Sequence, residues 1–134
     1  VLRVKNEATK MLTPGTLWKQ YHLEVGKIMT SELLGLGLLD KADVQNENPD
    51  WPAYKKYFMH GTSHHMGLDT HDYGKLTEPM QANMVFTVEP GIYIPAEGFG
   101  IRLEDNVVIQ KTGEPFNLMR NIPIEIEEIE SLMN

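Results

Sequence analysis

A histidine-rich stretch, residues 60–72 with the sequence HGTSHHMGLDTHD, holds the residues of this chain that are best suited to chemistry. Four of the five histidines lie in it, namely His60, His64, His65 and His71. Two later acidic segments, VEPG at 88–91 and RLEDN at 102–106, carry Glu89 and Glu104. Imidazole nitrogens and carboxylate oxygens are common ligands of transition-metal ions. The combination therefore predicts most of a hydrolytic metal site.

The two carboxylates are expected to face a common point. Side chains two residues apart in a strand share a face, so Arg102 lies beside Glu104 and Thr87 beside Glu89. Facing carboxylates repel each other unless a cation lies between them, and a divalent ion removes that conflict. His64 could add a nitrogen ligand, and a mixed N/O set without sulfur suits Mn, Fe, Co or Zn better than Ca. The simpler alternative is two surface glutamates and a set of hydrogen-bonded loop histidines.

These carboxylates are expected to lie on strands. Residues 84–94 (MVFTVEPGIYI) and 100–110 (GIRLEDNVVIQ) are rich in β-branched and aromatic residues, and the short AEGFG turn between them predicts an antiparallel pair. Pro90 favours an extended backbone at Glu89 and removes one ladder donor. A last short strand is expected at 117–124.

Helices are expected to support the strands. The first dozen residues form a helix that stops at Thr13-Pro14-Gly15, and Thr16 is the expected N-cap of a long helix over about 16–34. Its apolar residues recur every three or four positions and form one core-facing stripe. His22 lies off this stripe and is expected at the surface. The polar residues 40–50 are expected to form a loop, 51–57 a helical turn, and 125–133 a closing helix.

Composition limits the class of protein. The chain has 134 residues, 41% of them hydrophobic, which fits one domain with a real core. A net charge of −7 argues against nucleic-acid binding. No apolar run approaches the roughly 20 residues of a membrane span, and no signal peptide opens the sequence. Because the chain has no cysteine, a metal must use His and carboxylate ligands, and a cytoplasmic setting is expected.

Three segments together resemble a known family. FMHGTSHHMGLDTHD, TVEPGIYI and GIRLEDNVVI are similar to the three C-terminal motifs of the Xaa-Pro aminopeptidases (aminopeptidase P) and their prolidase relatives, the pita-bread metallopeptidases. The resemblance runs through essentially the whole chain. It implies an α+β fold, the C-terminal half of a pita-bread (creatinase/aminopeptidase) fold, with an antiparallel sheet packed by helices.

The resemblance also implies roles for individual residues. His64, Glu89 and Glu104 would be metal ligands, with Glu104 bridging two ions. His60 and His71 would line the substrate pocket, with His71 bonding the scissile carbonyl. Tyr93 and Arg102 would be supporting residues near the site. Asp72 and Asp105 are expected to hold histidines or backbone groups in place. No role follows for His65.

The implied reaction is hydrolysis of the bond between an N-terminal residue and proline. The site would contain two divalent ions about 3.5–4 Å apart, with manganese as the first choice and cobalt or zinc as alternatives. The ions would share a hydroxide and direct it at the peptide carbonyl. Glu89 would handle the proton of that hydroxide. The expected partner is a peptide with proline at its second position, with no nucleic acid and no membrane.

Two metal ligands of the family lack a counterpart here. They are aspartates on strands that precede the long helix, and no such segment stands before Leu2. We therefore expect residues 1–134 to be the C-terminal portion of a catalytic domain without its first half or its N-terminal domain. A partial or empty metal site, no turnover by the isolated chain, and self-association into a homo-oligomer through exposed apolar surface follow as expectations.

Two other functions remain open from the sequence. One is an Xaa-Pro dipeptidase (prolidase), which shares the same motifs. The other is a pita-bread binding module without catalysis. The retained ligand residues His64, Glu89 and Glu104 favour an enzyme over the binding module, because relatives that have lost catalysis typically lack them.

Overall fold

The computed structural model describes all 134 residues and combines helices with short antiparallel strands. The helices are α1 (Leu2–Lys10), α2 (Trp18–Gly35), α3 (Lys41–Gln45) and α4 (Ile126–Met133), with 3₁₀ turns at Ala53–Lys56 and Pro95–Glu97. The strands are β1 (Val85–Val88), β2 (Gly91–Ile94), β3 (Phe99–Arg102), β4 (Asp105–Val108) and β5 (Phe116–Asn117). The fold is therefore α+β, as expected.

The two long strands predicted over 84–94 and 100–110 do pair antiparallel, but each is broken in the middle. β1 pairs with β4 as far as Val88 opposite Asp105, and β2 pairs with β3 from Gly91 opposite Arg102. The prediction of two continuous strands is wrong because Pro90 has no N–H to continue the ladder. One hydrogen bond crosses the break, from the Leu103 N–H to the Pro90 carbonyl at 3.3 Å.

Part of the histidine stretch, residues 62–66, lies antiparallel along the other edge of β1. The N–H of Thr87 donates to the His64 carbonyl at 3.1 Å, and the N–H of Glu89 donates to the Thr62 carbonyl at 2.7 Å. His65 and Phe86 form a β-bridge at the same register. Since side chains alternate along extended chain, neighbouring histidines in this segment point to opposite faces of the sheet.

The core lies between helices α1 and α2 and one face of the sheet. The most buried side chains come from α1 and the residues just after it, from α2, and from strands β1 and β4. They include Val4, Ala8, Leu12, Tyr21, Val25, Met29, Leu33, Phe86, Val88 and Val107. This leaves the opposite face of the sheet free for polar chemistry.

The long helix begins later than predicted. α2 starts at Trp18, and its N-cap is Leu17, which makes no side-chain capping bond. The predicted N-cap, Thr16, instead donates its hydroxyl to the Met11 carbonyl at 2.9 Å, so it ties the turn back to the end of α1. The predicted surface position of His22 is also wrong, because its ring packs edge-on against Trp18 at 5.0 Å between centroids.

Two other local predictions need correction. The segment 40–50 contains the short helix α3, because Asp40 and Asp43 form a reciprocal capping box with bonds of 2.8 and 2.9 Å. The last strand predicted over 117–124 shrinks to β5, of two residues. The helical turn at 51–57 and the closing helix are confirmed as the 3₁₀ turn and α4.

The surface keeps several large apolar side chains. On β3, Phe99 and Ile101 are 51% and 53% exposed, and Ile126 and Met133 of α4 are exposed as well. None of the helices combines the length with the apolar character that a bilayer crossing demands.

Candidate active site

A polar cavity of about 410 Å³ opens on the face of the sheet away from the core. It is lined by His60, Gly61, Ser63, His64, His71, Glu89 and Arg102, none of them hydrophobic. Most of the residues singled out from the sequence therefore meet in one place. Glu104 and Tyr93 lie at its edge and contact residues of the lining.

His64 and Glu89 form the centre of this cavity. The Nε2 atom of His64 lies 3.2 Å from Oε1 of Glu89. The other ring nitrogen, Nδ1, lies 2.9 Å from the His65 carbonyl oxygen. Because a carbonyl can only accept, the neutral ring carries its proton on Nδ1. The lone pair of Nε2 is then available to coordinate a metal ion.

Thr87 fixes both of these groups. Its hydroxyl accepts the backbone N–H of His64 at 3.1 Å and donates to Glu89 Oε1 at 3.2 Å. Thr87 is buried with 1% exposure, so this hydroxyl has a single arrangement. The strand alternation that the sequence predicted for Thr87 and Glu89 thus places them side by side.

Glu104 faces Glu89 across the break between the two ladders. Their register follows from the flanking pairs, Val88 with Asp105 and Gly91 with Arg102. The Arg102 guanidinium lies between the carboxylates, 3.8 Å from Glu89 and 4.0 Å from Glu104. As expected, a guanidinium flanks the carboxylate pair.

These residues fit part of a metal site. Two ligands bound about 2.0–2.2 Å from one ion lie about 2.8–3.6 Å from each other at octahedral or tetrahedral angles. The 3.2 Å between His64 Nε2 and Glu89 Oε1 lies within this range. No three His, Asp or Glu side chains of the chain converge closely enough to hold an ion by themselves. The donor set therefore suits a divalent ion but supplies only part of its coordination.

His60 and His71 lie on either side of this pair. His60 Nε2 is 2.8 Å from the Tyr93 hydroxyl, and its Nδ1 is 2.8 Å from the Gly61 carbonyl. Because that carbonyl can only accept, Nδ1 carries the proton and Nε2 accepts from Tyr93. His71 is exposed, and its ring lies 4.3 Å from that of His64. Both histidines line the cavity.

His65, for which the sequence suggested no role, points away from the cavity. Its ring stacks on Trp18 at 5.9 Å and contacts Phe86 at 4.5 Å between centroids. Burial lowers the pKa of His65, against the opposing charge of Asp72. A Cβ added at Gly74 would lie 2.0 Å from this ring, so the glycine is required for its placement.

The two aspartates expected as supporting partners behave differently. Asp72 accepts hydrogen bonds from the backbone N–H groups of Tyr73 at 2.7 Å and Leu68 at 2.8 Å. These bonds lower the pKa of Asp72, and the bond from Tyr73 has the largest effect. It therefore holds the backbone of the histidine loop, as expected. Asp105 contacts neither a histidine nor a free backbone group; it forms a buried ion pair with Lys5 at 2.5 Å. That expectation was wrong.

Two buried polar contacts were missed from the sequence. One is the Lys5–Asp105 pair, although Lys5 stands three residues before Ala8 and seven before Leu12, on the buried side of α1. The other joins the hydroxyls of Tyr21 and Ser63 at 2.7 Å, and burial raises the pKa of Tyr21. Helical spacing could have indicated the first; nothing in the sequence paired the second.

The sequence that forms this fold and this site matches a known family of metallopeptidases. A family model described as "Metallopeptidase family M24" matches residues 1–111, and the chain belongs to this family. The match includes every residue of the cavity.

Within that family the relatives of the chain include Xaa-Pro aminopeptidases. It is 40% identical to the Xaa-Pro aminopeptidase of Haemophilus influenzae over 100% of its own length and 33% of that protein. It is 40% identical to that of Escherichia coli over 99% of its length and 32% of that protein. The chain thus spans about a third of the length of these relatives.

Solved structures give the same result for the fold. The E. coli aminopeptidase P with the inhibitor Pro-Leu matches 99% of this chain with a TM-score of 0.83 and 38% identity, and 32% of that structure is covered. The Pseudomonas aeruginosa aminopeptidase PepP matches 99% with a TM-score of 0.84 and 32% identity, over 33% of its length. The chain has the fold of half a pita-bread domain, as the sequence predicted.

Proposed function

We propose that this chain forms one side of the active site of a dinuclear metal-dependent Xaa-Pro aminopeptidase. The observation that supports this best is the placement of His64 Nε2 3.2 Å from Glu89, with Glu104 opposite Glu89 across the broken ladder. These three candidate ligands come from three neighbouring extended segments, and Glu104 lies at the edge of the cavity.

We further propose two divalent ions in the intact site, manganese first and cobalt or zinc as alternatives. Bound ions supply Lewis-acid activation of water and of the peptide carbonyl. His64, Glu89 and Glu104 would hold them. The remaining ligands, two aspartates, would come from a part of a larger catalytic domain outside residues 1–134.

The residues of this chain then have distinct tasks. The Glu89 carboxylate, which the Thr87 hydroxyl holds through Oε1 at 3.2 Å, accepts the proton that the attacking water releases. His71 donates a hydrogen bond to the oxygen of the scissile carbonyl as negative charge develops there. His60, oriented by Tyr93, contacts the substrate beside it. Arg102 balances the charge of the two carboxylates.

The proposed substrate is a peptide with proline at its second position. Its free amino terminus would coordinate one ion, which limits cleavage to the first residue. The names of the relatives, Xaa-Pro aminopeptidases, support this choice over other peptides. A cavity lined by polar groups also fits the backbone of the scissile peptide bond.

A chimera tests the proposal directly. The matching third of the E. coli Xaa-Pro aminopeptidase is replaced by residues 1–134, and release of the first residue from an Xaa-Pro-Xaa tripeptide is measured with Mn²⁺. We expect cleavage, with a loss of at least about 100-fold in kcat for Glu89→Gln. A folded chimera that binds Mn²⁺ and does not cleave would contradict the proposed function.

The isolated chain provides the complementary test. Because hard divalent ions need several anionic ligands in a closed site, we expect weak Mn²⁺ binding and no turnover from residues 1–134 alone. Calorimetric titration and the same peptide assay measure both. Cleavage by the purified chain would refute the requirement for further ligands.

A further inference from the structure

A buried ion pair lies on the core side of the sheet, beneath the candidate ligands. Lys5 Nζ is 2.5 Å from Asp105 Oδ2, and each side chain is 6% exposed. The two residues are 100 positions apart in sequence. The pair therefore connects helix α1 directly to the first residue of β4.

The Lys5–Asp105 pair lies at the end of the β1–β4 ladder, next to the two glutamates. Asp105 pairs with Val88 in the last step of the β1–β4 ladder. Glu89 follows Val88, and Glu104 precedes Asp105. Because side chains alternate, Asp105 shares the core face with Val88, while both glutamates face the cavity. Lys5 thus contacts the sheet at the step where the two carboxylates emerge on its other side.

Stability alone does not account for a pair of this kind. Burying two charges costs solvation, and well-packed apolar residues of similar volume often stabilise a fold as well or better. An apolar contact is also non-directional. A charge-assisted hydrogen bond differs because it fixes one acceptor atom relative to one donor atom.

We propose that Lys5 is a positioning residue for the metal site. By holding the Asp105 carboxylate it sets the place of the backbone at 104 and 105, and hence of the Glu104 carboxylate opposite Glu89. Pro90 and Leu103 interrupt the ladder here, so one backbone bond, Leu103 N–H to Pro90 carbonyl, spans the break. This inference rests on the proposed function for the role of Glu104 as a ligand.

The test compares Lys5→Met with the double variant Lys5→Met/Asp105→Leu. Lys5→Met leaves a buried carboxylate without its cation and should lower the folding equilibrium constant at least about 100-fold. The double variant should recover the stability of the parent chain in urea denaturation. Its Leu103 amide should nevertheless exchange with deuterium at least about tenfold faster than in the parent, because an apolar contact does not fix the break.

Two comparisons make this result specific. The Ile109 amide, which donates to the Met84 carbonyl at 2.9 Å beyond the other end of β4, should keep its protection in the double variant. Lys10→Met, which removes an exposed lysine of the same helix, should change neither amide. Lys5→Arg, which keeps the charge, should retain most of the Leu103 protection.

The proposal is overturned if the double variant recovers both stability and Leu103 protection. Unfolding of the double variant would overturn it too, since the pair would then serve folding rather than the placement of Glu104.

Mn²⁺ separates this inference from the proposed function. In the parent chain Mn²⁺ should broaden the amide resonances of His64, Glu89 and Glu104 together, and in the double variant it should bind at least about fivefold more weakly. Absence of broadening in the parent would show that these residues do not hold Mn²⁺ without further ligands; the chimera would then test the metal site, and the exchange experiment would decide the role of Lys5. Equal Mn²⁺ affinity in both proteins would contradict the positioning role.

Discussion

At the scale of single residues, one buried hydroxyl determines how the candidate ligands are arranged. Thr87 accepts from the backbone of His64 and donates to the carboxylate of Glu89. Water does not compete for either hydrogen bond, because Thr87 is only 1% exposed. The geometry of the site therefore depends on a residue that is itself neither a ligand nor an acid or base.

Thr87→Val should lower the free energy of unfolding by about 1–3 kcal/mol, because it leaves the buried N–H of His64 without an acceptor. Urea denaturation measures the change. Thr87→Ser keeps the hydroxyl and is the matched control, from which we expect most of the stability to return. A serine variant no more stable than the valine variant would show that the methyl group matters and the hydroxyl does not.

His22 should make stability depend on pH. Burial, and next the charge of Lys55, lower its pKa in the folded chain. As pH falls below about 6.5 the unfolded chain takes up this proton first, so the free energy of unfolding decreases until the pH has passed the folded-state pKa. Above about pH 7 the effect is absent.

The measurement for His22 is urea denaturation of the parent and of His22→Gln at several pH values between about 5 and 8. The difference in free energy between the two proteins should move in favour of the glutamine variant as the pH drops. A constant difference over this range would exclude a titrating role for His22.

At the scale of elements, the interruption between the β1–β4 and β2–β3 ladders positions the candidate ligands. Two antiparallel ladders keep a common register on either side of a gap, and the gap contains Glu89, Pro90, Leu103 and Glu104. The segment 62–66 adds His64 from the neighbouring edge. Three extended segments therefore place their polar side chains on one face, while the other face packs against α1 and α2.

The end of helix α2 offers a matched pair of glycines. Gly35 is helical and a Cβ there would meet nothing within 4 Å, so Gly35→Ala should raise the free energy of unfolding by about 0.5–1 kcal/mol. Gly37 has φ of +70°, where an L side chain is strained, so Gly37→Ala should lower it by about 1–2 kcal/mol. Thermal or urea denaturation of both variants measures these changes. Changes of the same sign in the two variants would contradict a helix end between Gly35 and Gly37.

At the scale of the whole molecule, the chain has two very different faces. One carries the polar cavity, and elsewhere β3 and α4 expose large apolar side chains, including Phe99 and Ile101. β3 is also an edge strand of its two-stranded sheet. Apolar surface on an open edge favours association with another chain or segment.

We expect the purified chain to self-associate through this edge. Light scattering should give an apparent mass above 15.3 kDa that rises with concentration. Ile101→Lys should shift the mass towards the monomer, because a charge on the edge opposes pairing. Leu23→Lys, a similarly exposed apolar residue on α2, is the control and should leave the mass unchanged. A monomer at every concentration would contradict the prediction.

Much of the fold was accessible from the sequence because local patterns determine it. Helical spacing identified α1, α2 and α4, and the β-rich segments with their short turn predicted the antiparallel pairing. The errors at Thr16 and at residues 40–50 have local causes. A hydroxyl that bonds backwards to Met11 cannot cap the following helix, and a capping box turned a polar loop into a short helix.

The sequence by itself determined the residue types and the chemistry that they permit: His64, Glu89 and Glu104 in motifs that resemble those of Xaa-Pro aminopeptidases. Only the tertiary structure decided which histidine faces the cavity, because His64 and His65 differ by one step along an extended segment whose register with β1 is a long-range property. The same holds for Lys5 and Asp105, which 100 positions separate in sequence and which packing brings within 2.5 Å. Local spacing cannot encode such contacts, since they form only when the helix and the sheet come together.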